Sequence, residues 1–157
     1  MGRKTNILLM VYGAGGHKAQ AHRVVNALNV TQTRIVTISD DSSRPEWSDY
    51  HVVAPGLREK SRSSGSLIAA WQIFWQSIHI IRKHHVTSMI STGPGIAIIP
   101  ALILRICGGK VIHLETWSRF YTRSLAGRVM YLIANRFYYQ NKTLSKFYPK
   151  GMYGGRL

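Results

Sequence analysis

Three short segments combine the residue types from which a site for an oxygen-rich, anionic ligand is built. Gly13-Ala14-Gly15-Gly16-His17 follows an apolar run and precedes a helical pattern. Glycines let backbone N–H groups approach an anion closely, and the positive end of the following helix adds to the attraction. The segment is not a P-loop, since Gly-Lys-Ser/Thr is absent, and Lys18 stands where a dinucleotide fingerprint has its third glycine. A phosphate or diphosphate suits it. A plain tight turn is the structural alternative, and Asp40, further on, leaves a nicotinamide-dinucleotide reading open. His17 ends the turn within reach of a bound ligand.

The second segment, Thr92-Gly93-Pro94-Gly95, precedes an apolar helix, and Gly93 and Gly95 leave room for close backbone approach. On local grounds a simple turn is the better explanation of it. In the third, Glu115-Thr116-Trp117-Ser118-Arg119, a carboxylate after a strand suits a general base. A structural salt bridge to an arginine is the other reading. A basic loop with Arg58, Glu59, Lys60 and Arg62 adds a candidate phosphate contact, or a solvated charge run. His84-His85 has no cysteine or carboxylate at ligand spacing, so no metal and no cofactor is expected.

The elements that position these segments read as strand, glycine turn and helix in alternation. Strands are expected at Asn6–Tyr12, Arg34–Ser39, His51–Ala54, Thr87–Ser91, Lys110–Leu114 and Phe137–Tyr139. Helices are expected at Lys18–Leu28, Ser66–His84, Ile96–Cys107 and Tyr121–Asn135, with a helical turn at Lys142–Phe147. Short continuous apolar strands alternating with helices predict a Rossmann-like α/β fold, a parallel sheet with helices on both faces, in one domain over 1–157. Ligands of such sheets bind beyond the carboxyl ends of the strands, where all three segments fall.

Composition narrows the partner. Lys plus Arg number 21 against 6 Asp plus Glu, a formal net charge of +15, and Glu115 is the lone acid of the C-terminal half. Such a balance implies nucleic acid, an acidic membrane surface or a phosphorylated substrate. A single cysteine, Cys107, excludes an internal disulfide. No stretch reaches the ~20 apolar residues of a membrane span. In the helix from Ser66, Leu67, Trp71, Phe74, Trp75, Ile78, Ile81 and Arg82 share one side, while Ala69, Ala70, Ile73, Ser77 and Ile80 form a smaller-residue side next to it. This apolar arc is about twice the ~100° that packing on a sheet requires. Full burial or a subunit contact explains it. So does an arrangement in which the small side packs on the sheet and Leu67, Trp71, Phe74, Trp75, Ile78 and Arg82 enter a membrane interface.

Taken in order, these motifs, with Val111-Ile112-His113-Leu114-Glu115, Ser124-Leu125-Ala126-Gly127-Arg128 and the ending Phe147-Tyr148-Pro149-Lys150-Gly151 through Gly154-Gly155-Arg156-Leu157, resemble the PssD-type exopolysaccharide glycosyltransferase subunits. That family is related to the eukaryotic membrane-docking subunit that serves dolichyl-diphosphate N-acetylglucosaminyl transfer. It is similar to the N-terminal, acceptor half of MurG-like enzymes of the GT-B fold. The resemblance implies an inverting hexosyl- or glycuronosyltransferase subunit, inactive alone. A small PssE-type partner would bind the UDP-sugar, and this chain would hold a polyprenyl-diphosphate-linked saccharide and an anionic membrane surface, with no nucleic acid. A basic nucleic-acid-binding module and a nicotinamide-binding domain are the rivals. The eukaryotic relatives carry an N-terminal anchor and this chain begins at its first strand. A bacterial protein, peripheral on the cytoplasmic face of the inner membrane, is therefore expected. On this reading Gly13, Gly15, Gly16, Arg58, Gly93, Gly95 and Arg119 hold the acceptor diphosphate. Of the two candidate catalytic residues, Glu115 is favoured as base, because an ionised carboxylate is already deprotonated, and His17 as diphosphate ligand.

Overall fold

A computed structural model describes residues 6–28, 33–56 and 63–156. The strands are β1 (Ile7–Tyr12), β2 (Arg34–Ser39), β3 (Tyr50–Val53), β4 (Ser88–Ser91), β5 (Lys110–Leu114), β6 (Arg136–Tyr139) and β7 (Met152–Tyr153). They form one sheet in the order β3-β2-β1-β4-β5-β6-β7. Every pairing is parallel, so all seven carboxyl ends lie on one edge. The order reverses between β1 and β4, and the crevice of a doubly wound sheet opens at such a reversal.

The strands are apolar on both sides because both faces are covered. Along β1, Leu9 and Val11 point into one core, and Leu8, Met10 and Tyr12 into the other. The second core is closed by α1 (Gly16–Leu28) through Ala21, Val24 and Val25. The first, larger core is closed by α2 (Ser63–Lys83), α3 (Ile98–Ile106) and α4 (Leu125–Ile133), through Ile73, Ile80, Ala101, Leu104 and Met130.

The α/β fold and parallel sheet agree with the sequence expectation, and the differences have local causes. The final helix starts at Leu125 rather than Tyr121, because Ser124 Oγ accepts the Gly127 N–H at 2.8 Å and caps it there. The helix expected from Ile96 begins as a 3-10 turn, Gly95–Ala97, before α3. The strand β7 is two residues long, too short to leave a periodicity. The long helix begins three residues earlier than Ser66.

The division of α2 into two sides is as anticipated. Ala69, Ile73, Ser77 and Ile80 are buried on the sheet, together with Ile81, which had been grouped with the outward residues. Leu67 is 76% exposed, Trp71 62% and Trp75 52%, while Phe74 and Ile78 are half-buried and Arg82 is exposed. Trp71, Phe74 and Trp75 pack on one another at 5.5–5.9 Å between ring centroids, so the outward aromatics form one cluster. Among the described residues no helix is long and apolar enough to cross a membrane.

Candidate functional site

The chain turns from β1 into α1 through Gly13–Gly16, at the point where the strand order reverses. Asp40, just past β2, closes this turn: its Oδ1 accepts the Ala14 N–H at 2.7 Å. That commits one oxygen of the carboxylate considered above for a ribose. Gly16 is the first residue of α1, and Gly15, at φ 64°, has open space where a side chain would stand.

His17 crosses from this turn to the loop after β4. Its Nδ1 lies 2.6 Å from the Thr92 carbonyl oxygen, and Thr92 Oγ1 donates in return to the His17 carbonyl at 3.0 Å. A carbonyl oxygen only accepts, so Nδ1 carries the proton. In the neutral ring Nε2 then holds the lone pair. The ring lies between two glycines. A Cβ on Gly93 would stand 3.0 Å from Cε1, and one on Gly13 3.3 Å from Cδ2. Gly93 has φ +109°, which a larger residue rarely adopts. His17 is half-buried, and the bond from Nδ1 fixes its ring beyond the carboxyl ends of β1 and β4.

His113, on β5, is fully buried, with neither ring nitrogen hydrogen-bonded in the protein. Its ring packs on Phe137 at 5.1 Å. Burial, and to a lesser degree the nearby His17, push its pKa down to about 3. It is therefore neutral at physiological pH.

Glu115 differs from the expectation. It is fully buried, and its carboxylate is enclosed by donors. Tyr148 OH donates to Oε2 at 2.6 Å, Ser124 Oγ to Oε1 at 2.8 Å, and the Thr116 N–H to Oε1 at 3.1 Å. Burial, followed by the bond to Glu115, raises the Tyr148 pKa well above its ordinary value. A side chain at Gly127 would overlap Glu115 Oε2. The carboxylate thus ties β5 to α4 and to the C-terminal segment. Its hydrogen-bond partners are hydroxyls and a backbone N–H, where a salt bridge to an arginine was the other expectation.

The other expected residues divide. Gly13, Gly93 and His17 are brought together, with Gly15 and Gly16 on the same turn. Gly95 is exposed and opens the 3-10 turn, beyond that cluster. Arg119 is half-buried and bonds the Thr122 hydroxyl rather than approaching Glu115. Its loop is held by Asn141 Nδ2, which donates to the Trp117 and Arg119 carbonyls. Arg58 lies outside the described residues. Among the described residues no group of three or more His, Cys, Asp or Glu is placed to hold a metal.

Sequence reasoning missed Tyr148, Ser124, Thr92 and His113. Ser124 had a signal, since a serine just ahead of an apolar helical run is a cap. Tyr148 had none, because it meets Glu115 from 33 residues away.

Comparison with known proteins places the chain in context. The family model described as "Oligosaccharide biosynthesis protein Alg14 like" matches residues 8–157. The mouse (Mus musculus) "UDP-N-acetylglucosamine transferase subunit ALG14" is 28% identical over 183 residues, covering 99% of this chain and 84% of that protein. Its Candida albicans counterpart is 27% identical over 170 residues, covering 96% and 77%. Among solved structures, Acinetobacter baumannii MurG superposes with a TM-score of 0.66 at 14% identity, over 88% of this chain and 42% of that one. A putative UDP-N-acetylglucosamine 2-epimerase from Listeria monocytogenes gives 0.70 at 9%, over 94% and 43%. The chain thus has the fold of a little under half of these structures.

Proposed function

The chain belongs to the Alg14-like family of oligosaccharide biosynthesis proteins, and from that premise we propose that it is the acceptor- and membrane-binding subunit of a bipartite, inverting glycosyltransferase. A separate small subunit binds the UDP-sugar. The acceptor is a polyprenyl-diphosphate-linked saccharide, and the work is done at the cytoplasmic face of the membrane. The bacterial, PssD-type exopolysaccharide setting is the finer form of this reading. The observation that carries it is the His17 cradle: one ring nitrogen tied to the Thr92 carbonyl, the other left with its lone pair at the open edge of the sheet, beside a glycine turn that opens a helix.

The chemistry follows from that placement. Backbone N–H groups of Gly15, Gly16 and the start of α1, beyond the Ala14 N–H that Asp40 holds, receive the acceptor diphosphate. His17 Nε2 takes the proton from the attacking sugar hydroxyl. The freed oxygen bonds to the anomeric carbon of the donor sugar while the bond from that carbon to UDP breaks, and UDP leaves with the electron pair. His17 thereby replaces Glu115 as the favoured base. Glu115 becomes a positioning residue that fixes the loop after β5. The exposed Leu67, Trp71 and Trp75, with Arg82, form the membrane-facing side of α2.

The test is reconstitution. The purified chain should give no UDP-sugar-dependent transfer to a farnesyl-diphosphate-linked sugar, and transfer should appear when its donor-binding subunit is added. Turnover by the isolated chain would refute the bipartite reading.

A further inference from the structure

A cavity of about 570 Å³ adjoins the glycine turn. It is lined by Gly15, Lys18, His22, Asp41, Glu46 and Trp47. Its outer wall is the connection 40–49, which carries Asp40, Asp41, Glu46 and Asp49, four of the six acidic residues in a chain of net charge +15. A cationic surface made for phosphate or anionic lipid does not require carboxylates here.

The wall is rigid. Lys18 Nζ pairs with Asp41 Oδ2 at 3.0 Å and also bonds the Ser43 hydroxyl. Asp41 Oδ1 accepts the Ser43 N–H at 2.8 Å, and the ring Nε2 of His51 donates to the Asp41 carbonyl at 2.9 Å. Asp49 Oδ2 accepts the Ile35 N–H at 2.7 Å, and Arg44 Nε donates to the Ser48 carbonyl at 2.8 Å. An irregular polar connection fastened at this many points is preorganised, and preorganisation lowers the cost of binding. Trp47 is half-buried. Its ring packs on Tyr12 at 5.7 Å between centroids and also lines the cavity, while Glu46 is exposed.

We propose that this cavity is a subsite for a hexose unit of the acceptor saccharide, with the Trp47 indole against the sugar's C–H face and Glu46, Asp41 and Lys18 at its hydroxyls. The inference rests on the acceptor reading above. A diphosphate on the Gly13–Gly16 turn has a sugar as one neighbour and the lipid as the other. This cavity shares Gly15 with the turn and offers hydrogen-bonding groups around a single aromatic surface, which suits the sugar. The apolar groove formed by Val53, Pro55, Trp71 and Trp75 lies on α2, in the other layer of the fold.

The experiment titrates the full chain with farnesyl diphosphate, and with farnesyl diphosphate carrying one glucose or one N-acetylglucosamine. Indole N–H resonances, assigned by single Trp→Phe variants, are followed by NMR. Both kinds of probe should bind, and only the sugar-bearing ones should shift Trp47. Trp47→Ala should weaken the sugar-bearing probes by up to about tenfold, the scale of one aromatic contact, and leave farnesyl diphosphate unchanged. Glu46→Ala, at an exposed position, should weaken them about threefold and keeps the test open if Trp47→Ala does not fold. Binding of both kinds of probe with an unmoved Trp47 overturns the subsite and spares the diphosphate site. Failure of farnesyl diphosphate itself to bind overturns both. A Trp47 shift produced by UDP or NADH, and not by the sugar-bearing probes, makes the cavity a nucleotide site and also overturns the proposal.

Discussion

Glu115 and His17 both follow strand ends on the same edge of one sheet, yet their surroundings are opposite. Glu115 is fully buried, and two hydroxyls and a backbone N–H donate to its two oxygens. His17 is half-buried, with one nitrogen engaged by Thr92 and one left over. A buried polar group that is fully hydrogen-bonded braces the fold. A fixed ring with one nitrogen free of protein partners is what the proposed function uses to accept a proton. The contrast teaches that a carboxylate at a strand's carboxyl end is identified by what its oxygens already hold, which residue type and position alone do not reveal.

The largest effect should come from emptying the brace. Glu115→Ala leaves Tyr148 OH, Ser124 Oγ and the Thr116 N–H without their acceptor. At about 1–3 kcal/mol for each of the two buried groups, and less for the half-buried Ser124, the loss of stability should be on the order of 2–6 kcal/mol. Urea denaturation measures it. A loss under about 1 kcal/mol would mean that the carboxylate does not brace the fold. Gly127→Ala should destabilise in the same direction, because its side chain would overlap the same oxygen.

The outward face of α2 is the next test, since it too contrasts with a buried face of the same helix. Trp71→Ala with Trp75→Ala removes exposed aromatic area and no core. Partitioning onto anionic vesicles should fall roughly a hundredfold, on the order of 3 kcal/mol at about 25 cal/mol per Å². Thermal stability should stay nearly unchanged. A double variant that unfolds would place these rings in a structural role instead.

His113 gives the smallest effect per unit of pH. Its folded pKa, about 3, lies below that of an unfolded histidine, so the unfolded chain takes up the proton first. The stability this contributes is present above about pH 6.5 and declines as pH falls toward 3, by at most about 1.4 kcal/mol per unit. His113→Leu should flatten that slope in denaturation curves recorded between pH 7 and 4. An unaltered slope would show that His113 does not remain neutral in the folded protein.

Much of the fold was legible because each strand is a short apolar run and each turn carries glycine. The bounds of β2 and β5 match the expectation, and so do the buried and outward sides of α2, apart from the buried Ile81 and the half-buried Ala70. The site was legible as three loops and not as contacts. The pairing of His17 with Thr92 spans 75 residues, and that of Glu115 with Tyr148 spans 33, so neither leaves a local pattern. The lone acid of a cationic half invited a catalytic reading. The close approach of Gly127 to its carboxylate, which supports the bracing role proposed above, shows in sequence only as one more glycine.

The most direct test of the account compares two substitutions in the reconstituted two-subunit enzyme, with kcat expressed per folded molecule. His17→Ala should lower kcat by ~10²-fold or more, the usual contribution of a general base, while leaving stability within about 1 kcal/mol. Glu115→Gln should lose stability and keep kcat within about fivefold, as expected of a group that positions others without touching the reacting atoms. A Glu115→Gln enzyme that folds normally and has lost its kcat, beside a His17→Ala enzyme that turns over at the wild-type rate, would contradict it.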